Sequence, residues 1–276
     1  MNLVDVTVLF PCFNEASLLP LKLSELTNCR FAPKEIVICD DGSSDDSVNV
    51  IQSFPAHNIT LLRHRTNLGI HAALTTLLSF EIATSWFVLT TPSDSLHPQY
   101  FEAFDLMHTL YPQIDFFFTD YSEASSSIAI RQYTEDFILR HAIDIGYQSS
   151  THSSKFLFAS GLKFPASLSF AYHSSHKNRA KEILGLRRLN AYIDICLLAE
   201  LFSGANSSVY LRCPLAIRQD SGASQGQFLS ATSSSLYPLG FFIVNLISGR
   251  LSLIPFLVLL RYVLRRRLTK FHSLFK

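Results

Sequence analysis

Short apolar runs alternate with longer amphipathic stretches through the first 120 residues of the chain. Five apolar runs are typical of strands buried on both faces, at residues 6–10, 36–39, 59–62, 86–89 and 116–118. The stretches between them space apolar residues as helices do, at residues 15–28, 44–54, 69–80 and 98–110. Strands and helices that alternate at this spacing predict an α/β domain with a mostly parallel sheet and right-handed crossovers.

The pattern becomes less regular after residue 120. Serine-rich stretches at 122–127 and 149–154 predict loops. Helices are expected at 133–145 and 181–202, and short strands at 156–159, 168–172 and 208–211. In the earlier part, Ser44 is expected to cap the second helix and Pro98 to begin the fourth.

The C-terminal tail differs in composition from the rest of the chain. Residues 237–248 and 251–260 are largely apolar, but neither run reaches the roughly 20 residues that a membrane-spanning helix needs. Beyond Pro255, apolar residues recur at helical spacing while arginines and a lysine fall on the other face, as in a basic helix lying in a membrane interface. Packing of this helix on the rest of the chain or on a second copy is the alternative. A hairpin in the bilayer, or a spanning helix that contains Arg250, would be costly.

Composition sets the outer limits. The chain has 276 residues, of which 48% are hydrophobic, enough for one large or two small domains. A net charge of +1 gives no reason to expect nucleic acid as a partner. The five cysteines show no metal-ligand spacing, and the N-terminus lacks the charged region of a secretory signal, so we expect reduced thiols and a cytoplasmic protein.

Polar runs follow the first two predicted strands directly. Pro-Cys-Phe-Asn-Glu occupies residues 11–15, and Asp-Asp-Gly-Ser-Ser-Asp occupies residues 40–45. Ligands of open α/β sheets bind outside the carboxyl ends of the strands, so both runs are expected to face one crevice. A carboxylate of Asp40 or Asp41 can accept the imide N–H of a pyrimidine and so select uracil or thymine. The alternative is that these residues form an ordinary turn and a helix cap.

These two runs, followed by Asn67-Leu-Gly69 and by Ser93-Asp94 before Pro98, resemble the family 2 glycosyltransferases of the GT-A fold. The resemblance covers about the first 120 residues and continues more weakly through Asp194 and Pro214-Leu215. It implies that residues 1–120 form the nucleotide-sugar-binding half of a GT-A domain and residues 121–232 its acceptor-binding half. Residues 233–276 are then a helical tail that associates with the membrane.

The resemblance also implies which residues hold the nucleotide sugar. The run at residues 11–15 would contact the base through its backbone and the ribose through Glu15, and Asn67 and Gly69 would shape the next loop. The predicted contact residues are Pro11, Phe13, Glu15, Asp40, Asp41, Asn67, Gly69, Ser93, Asp94 and Arg218.

The sequence departs from the family where the diphosphate would be neutralised. Family members carry an acidic pair before the helix at Pro98, and that pair holds Mg²⁺ or Mn²⁺ on the diphosphate. Here the stretch reads Thr-Pro-Ser-Asp-Ser at residues 91–95, so Asp94 is the only carboxylate and would bind a metal weakly. Arg218 is then a candidate cation for the leaving group. His97 lies nearby and would either assist or occupy a surface loop.

Asp194 is the candidate catalytic base. It is a lone acid among apolar residues, and burial would raise its pKa toward neutrality. In the resembled family an Asp at this place deprotonates the acceptor, and the transferred sugar inverts. A salt bridge to Arg187 or Arg188 is the alternative. Residues 219–227 are rich in Gly and Ser and would form a lid over the donor.

Three functions were therefore weighed. The first is an inverting glycosyltransferase, peripheral on the cytoplasmic face of a membrane, that uses a UDP- or dTDP-type donor and a lipid-linked or envelope-glycan acceptor. It would add single sugars, because the Gln-x-x-Arg-Trp run of processive members is absent. The second is a degenerate GT-A module that binds nucleotide sugar or a partner without turnover. The third, a nucleotidyltransferase, expects a Gly-rich basic loop after the first strand, and residues 10–14 do not provide one.

Overall fold

The computed structural model describes residues 2–123, 132–144, 170–184 and 207–218. The strands in these ranges are β1 (Asn2–Cys12), β2 (Phe31–Asp40), β3 (Ile59–Arg63), β4 (Trp86–Leu89), β5 (Ser95–Leu96), β6 (Phe116–Glu123), β7 (Ala142–Asp144), β8 (Phe170–His173) and β9 (Ser208–Arg218). The α-helices are α1 (Leu19–Thr27), α2 (Ser47–Ser53), α3 (Ile70–Ser79), α4 (Tyr100–Leu110), α5 (Glu135–His141) and α6 (Lys177–Leu184).

All nine strands in the described ranges belong to one sheet, ordered β3-β2-β1-β4-β8-β6-β9-β5, with β7 paired to β9. The first four strands of this order are parallel, as the alternating pattern predicts. β8 runs antiparallel to both β4 and β6, which the sequence pattern did not indicate. Because β8 is antiparallel to both of its neighbours, β4 and β6 run in the same direction. β6 and its parallel partner β9 therefore point the same way as β1, β2 and β4. The carboxyl ends of these five strands therefore meet at one edge.

Helices α1 and α4 cover one face of the sheet. Their buried residues, among them Leu23, Phe104 and Met107, join a continuous apolar cluster with Val6 and Val8 of β1. Because side chains alternate along a strand, Leu9 and Val37 face the other way. There α3 packs on β1 and β2, and α6 packs on α3. β1 and β2 are thus covered on each face, which explains their unbroken apolar runs.

Several predicted boundaries shift in the structure. Ser44 does not cap the second helix, since α2 begins after Asp46. The strand predicted at 116–118 continues to Glu123, so Ser122 lies in a strand, and the strand predicted at 208–211 continues to Arg218. The helix predicted at 133–145 is a two-turn helix followed by β7. Pairing with β9 accounts for these extensions, because both β6 and β7 hydrogen-bond to it.

Some predictions fall on residues outside the described ranges. These are Asp194, the strand at 156–159, most of the helix at 181–202, the lid at 219–227 and the tail at 237–276. Within the described part of the chain, no helix combines the length and apolar character needed to cross a bilayer.

Candidate functional site

The candidate site lies at the sheet edge where β1, β2 and β4 end. Residues 13–16 follow β1, residues 41–46 follow β2, and residues 90–94 follow β4. The carboxyl ends of β6 and β9 reach the same edge from the other half of the sheet. The structure thus brings together the polar runs that the sequence predicted to share a crevice.

Asp41 is the anchor of the loop after β3. Its Oδ1 accepts hydrogen bonds from His64 Nδ1 at 2.7 Å and from the Leu68 N–H at 2.9 Å. Its Oδ2 accepts from the Gly69 N–H at 2.7 Å. Because a carboxylate only accepts, His64 donates from Nδ1, and its Nε2 lies 2.9 Å from the Thr76 hydroxyl. Both oxygens of Asp41 are therefore committed to the protein.

Gly42 allows the loop after β3 to pack closely against the loop after β2. Its φ is +74°, a conformation that side-chain-bearing residues rarely adopt. A Cβ built on it would lie 2.5 Å from the carbonyl carbon of Thr66 and 2.7 Å from the Asn67 nitrogen. The close packing of residue 42 on residues 66–67 therefore requires glycine. Gly69 also has positive φ, +89°, but a Cβ there would meet no atom within 4 Å.

Asp40, unlike Asp41, has one carboxylate oxygen without a hydrogen-bond partner in the described structure. Its side chain is fully buried, and its Oδ2 accepts from the Ser43 N–H at 3.2 Å, with Arg63 Nε at 3.6 Å. Its Oδ1 is buried and has no hydrogen-bond partner within the described structure. An unpaired buried carboxylate oxygen is costly, so Asp40 holds an acceptor that no donor among the described residues satisfies.

The loops after β1 and β2 are locked together by side-chain to backbone hydrogen bonds. Asn14, at φ +54°, accepts on Oδ1 from the N–H groups of Ser44 (2.8 Å) and Asp45 (3.3 Å). In return the Asn14 N–H donates to Ser43 Oγ at 2.9 Å. Two further bonds run from the Glu15 N–H to Ser47 Oγ (3.1 Å) and from the Ala16 N–H to Asp45 Oδ2 (3.0 Å). Residues 13–16 and 43–47 therefore form one rigid unit, which we call the interlocked loops.

Glu15 sits in this unit with an unusual ionisation. Partial burial raises the pKa of its carboxyl to about 7, a hydrogen bond from the Phe13 N–H acts against the shift, and repulsion by Asp45 and Asp94 adds to it. Asp45 and Asp94 are thus both close enough to Glu15 to repel its carboxylate. Phe13, in the same loop, keeps 41% of its surface exposed, whereas Pro11 is buried in β1.

Asp94 lies in a loop after β4 that is stabilised by hydroxyl groups. Thr91 donates from Oγ1 to Asp94 Oδ2 at 3.0 Å, and Thr91 Oγ1 lies 3.1 Å from Ser93 Oγ. Within the described ranges no group of three His, Cys, Asp or Glu side chains is arranged to hold a metal ion. His97 does not occupy a surface loop: it is 5% exposed, and its Nδ1 accepts from the Gln99 N–H at 3.1 Å.

Arg218 is placed near Asp94 by strand pairing. β5 runs antiparallel to β9 with Ser95 opposite Ile217, so the next backbone position, Arg218, is level with Asp94. Only its backbone is described. Asn67 and Gly69 lie in the loop that Asp41 holds, where Asn67 Oδ1 accepts from the Gly69 N–H at 2.9 Å.

The sequence reasoning missed several residues that build this edge. Asn14, Ser43 and Ser47 carry the interlock, and His64 completes the partners of Asp41. Asn14 was within a recognised run, and its tolerance of left-handed backbone was an available signal. His64 and Lys22 gave no signal, because their contacts join residues far apart in sequence.

Solved structures place this fold. The chain superposes on Staphylococcus aureus TarS 1–349 in complex with UDP with a TM-score of 0.57 and 14% identity, covering 83% of this chain and 63% of that one. The TarS 1–349 complex with UDP-GlcNAc gives a TM-score of 0.53 and 12% identity, over 80% and 59% of the two chains. The fold is therefore that of the GT-A glycosyltransferases, as the sequence predicted.

The sequence comparisons match the first part of the chain. Residues 7–104 match the model of the family described as glycosyl transferase family 2. An undecaprenyl-phosphate 4-deoxy-4-formamido-L-arabinose transferase from Pectobacterium carotovorum is 32% identical over 103 residues. That match spans 35% of this chain and 31% of the length of the relative.

Proposed function

We propose that this protein is an inverting, non-processive glycosyltransferase that moves a sugar from a UDP- or dTDP-type donor to a hydroxyl of a lipid-linked or envelope-glycan acceptor. The family 2 domain at residues 7–104 supports the reaction class. The observation that carries the donor proposal is the buried Oδ1 of Asp40, which has no hydrogen-bond partner among the described residues, whereas both oxygens of Asp41 accept hydrogen bonds.

Asp40 rather than Asp41 is proposed to read the base. Asp41 has both oxygens engaged by the protein, whereas Asp40 Oδ1 lacks a donor that the imide N–H of uracil or thymine would supply. The exposed ring of Phe13, in the interlocked loops, offers an aromatic surface for the base to stack on. Glu15 is proposed to hydrogen-bond the ribose.

The diphosphate and the donor sugar are assigned to Ser93, Asp94 and Arg218. A hard cation, Mg²⁺ or Mn²⁺, would be held by Asp94 together with diphosphate oxygens and water, and it would neutralise the leaving group. Among the described residues this protein ligand set is incomplete. The backbone register that brings Arg218 level with Asp94 supports a protein cation in the same role.

Asp194 remains the proposed base that takes the proton of the acceptor hydroxyl as that oxygen attacks the anomeric carbon. A lipid-linked acceptor is supported by the similarity to the Pectobacterium relative, which is named as an undecaprenyl-phosphate sugar transferase. The similarity to TarS supports the fold alone. The basic amphipathic pattern of residues 237–276 supports contact with a membrane surface and a peripheral location on its cytoplasmic face.

A second candidate is a module that binds nucleotide sugar or a partner without turnover. One observation favours it, namely the single carboxylate at Asp94 where the resembled family has an acidic pair. The two proposals agree on nucleotide binding and differ on catalysis, so binding and turnover must be measured separately.

Calorimetric titration of the full chain with UDP, dTDP and GDP, with and without Mn²⁺, tests the donor proposal. Because Asp40 Oδ2 accepts from Ser43, the amide oxygen of an Asp40→Asn variant takes that place and its NH₂ group faces the base N–H. We expect UDP or dTDP to bind, GDP not to bind, and Asp40→Asn to weaken binding about 10- to 100-fold. Asp136→Asn, exposed on α5, is the matched control. The donor proposal fails if neither pyrimidine nucleotide binds.

Turnover is then measured as release of nucleotide from the donor, with and without a polyprenyl-linked acceptor. We expect Asp194→Asn to lower kcat at least about 100-fold while nucleotide affinity is unchanged. Equal, background-level release by wild type and variant, with intact nucleotide binding, would favour the non-catalytic module.

A further inference from the structure

A lysine is buried beneath the loop that carries Asp94. Lys22, in the middle of α1, is 2% exposed. Burial lowers the pKa of its ammonium group, and the nearby Glu25 and Asp94 oppose that shift. A buried ammonium group is costly unless its donors are satisfied, so its contacts identify what it stabilises.

Two of the three acceptors of this ammonium group within the described structure belong to the loop after β4, and the third is Glu25 on α1. Lys22 Nζ donates to the Asp94 carbonyl at 2.7 Å, to Thr90 Oγ1 at 3.2 Å and to Glu25 Oε1 at 3.4 Å. An ammonium group has three N–H donors, so these contacts use its full capacity. Lys22 therefore binds both ends of the loop at residues 90–94.

Glu25 extends the same attachment by one step. It lies three residues after Lys22 on α1, and its Oε1 also accepts from the Leu96 N–H at 2.6 Å. The lysine and the glutamate together hold residues 90, 94 and 96 against one helix. The carboxylate of Asp94 is meanwhile held by Thr91 from within the loop. We call the Lys22–Glu25 pair the helix clamp.

We propose that the helix clamp is a positioning device that sets the place of Asp94 for the donor, with Lys22 acting through the loop and not by touching the substrate. The inference rests on the proposed function, because it assigns Asp94 to the diphosphate-sugar end of the donor. The clamp supports the loop after β4, in the way that hydrogen bonds between neighbouring loops support residues 13–16 and 43–47. It also places an ammonium group beneath Asp94, at a site where Asp45 and Asp94 both repel the carboxylate of Glu15.

A purely structural lysine would have different consequences from a positioning lysine. Loss of packing alone would loosen the domain and weaken every ligand alike. Loss of the clamp would displace residues 90–96 while the interlocked loops, which are held by their own hydrogen bonds, keep their geometry. Binding of the nucleoside end should then survive while binding of the diphosphate-sugar end suffers.

The test compares Lys22→Met, a volume-matched neutral variant, with Lys181→Met, which changes an exposed lysine on α6. The first readout is hydrogen exchange of residues 90–96 in the unliganded protein. We expect exchange there to be at least 10-fold faster in Lys22→Met and unchanged in Lys181→Met. Wild-type exchange rates in Lys22→Met would overturn the clamp, whatever the protein binds.

The second readout is affinity for UMP and for UDP-GlcNAc, or for dTMP and dTDP-glucose if thymidine nucleotides are preferred. We expect Lys22→Met to weaken the sugar nucleotide about 10-fold and the monophosphate less than twofold. Equal weakening of both would overturn the positioning role. In an Asp94→Asn background, Lys22→Met should cause no further loss of sugar-nucleotide affinity, and an additive loss would contradict action through Asp94.

Glu25→Gln provides a variant that keeps the fold if Lys22→Met does not. It retains an oxygen for the Leu96 N–H and removes the charge that pairs with Lys22. The same pattern is expected with a smaller amplitude, about threefold in sugar-nucleotide affinity, and its absence would overturn the proposal. If wild type binds no nucleotide, the proposed function fails, and the exchange measurement still decides the clamp.

Discussion

The loops after β1 and β2 hold each other, whereas the loop after β4 is held by a helix beneath it. In the first region, Asn14 and the serines of residues 43–47 exchange hydrogen bonds between two neighbouring loops. In the second, the attachment comes from Lys22 and Glu25 on α1. Both regions border the same sheet edge, but only the first builds its rigidity from the residues that also form the site.

This difference separates two kinds of restraint. In the interlocked loops the donors and acceptors are polar residues in two short runs, so a change there alters the site and its support together. In the loop of Asp94 the support lies elsewhere in the chain, and it can be changed without altering any proposed contact with the donor. Four substitutions, from the largest expected effect to the smallest, test how far this contrast holds.

Gly42→Ala should be the most damaging change, with a loss of about 4 kcal/mol in the free energy of unfolding. The added Cβ would meet the backbone of residues 66–67 at 2.5–2.8 Å, and φ is also positive. Gly69→Ala shares the positive φ but not the collision, so about 2 kcal/mol is expected. Urea denaturation of both variants measures the difference. Equal losses would mean that the close approach of the loop after β3 contributes nothing.

Asp41→Asn should cost about 2–3 kcal/mol, because the carboxylate that receives His64, Leu68 and Gly69 cannot be replaced by an amide at every contact. Asp40→Asn should cost under about 1 kcal/mol, since one of its oxygens has no partner within the described structure. Thermal unfolding of the two variants side by side checks the contrast. A larger loss for Asp40→Asn would contradict the division between anchor and ligand acceptor.

Glu15→Gln should stabilise the protein at alkaline pH. The folded-state pKa of Glu15 is raised to about 7 from an ordinary 4.5, so the folded state binds the proton more tightly and stability falls as pH rises between those values. The variant should therefore match wild type near pH 4 and exceed it by about 2 kcal/mol above pH 8. Denaturation midpoints measured from pH 4 to pH 9 test this. A difference that is constant with pH would show that Glu15 is not perturbed.

Thr91→Val should have the smallest effect, about 0.5 kcal/mol in stability and about threefold in sugar-nucleotide affinity. It removes the hydroxyl that donates to Asp94 but leaves the contacts of Lys22 in place. Thr75→Val, on α3, is the control for a lost threonine hydroxyl. An effect as large as that of Lys22→Met would indicate that the loop is held from within and not by the helix.

The sequence predicted the parts of the fold that depend on local pattern. Apolar runs bounded by polar clusters located β3, β4 and α3 within one residue. They located the carboxyl ends of β1 and β2 within two residues, but both strands begin four to five residues earlier than predicted. The family resemblance was correct for the first part of the chain. The strand predicted at 168–172 corresponds to β8. Its antiparallel place between β4 and β6 was not predicted, because that place depends on pairing between residues more than 50 positions apart. The extensions of β6 and β9 escaped for the same reason.

The sequence also predicted the candidate site only in part. The acids after β2 were identified, but their separate environments were not, since only the fold shows which oxygen His64 and the Gly69 N–H occupy. The roles assigned to Pro11, Phe13, Asn67, Ser93 and Arg218 stay predictions. Lys22 was counted among ordinary helix residues, because nothing in its neighbours indicates that its ammonium group reaches Asp94.

The antiparallel strand β8 has a consequence for how this chain can be divided. β8 lies between β4 and β6. In a fragment that ends near residue 120, the edge of β4 that pairs with β8 would therefore have no hydrogen-bonding neighbour. Exposed strand sides of this kind recruit other chains and favour aggregation. The segment matched by the family model is thus a poor unit for expression on its own. During synthesis, β4 and β6 cannot be joined into one sheet until residues 170–173 have left the ribosome.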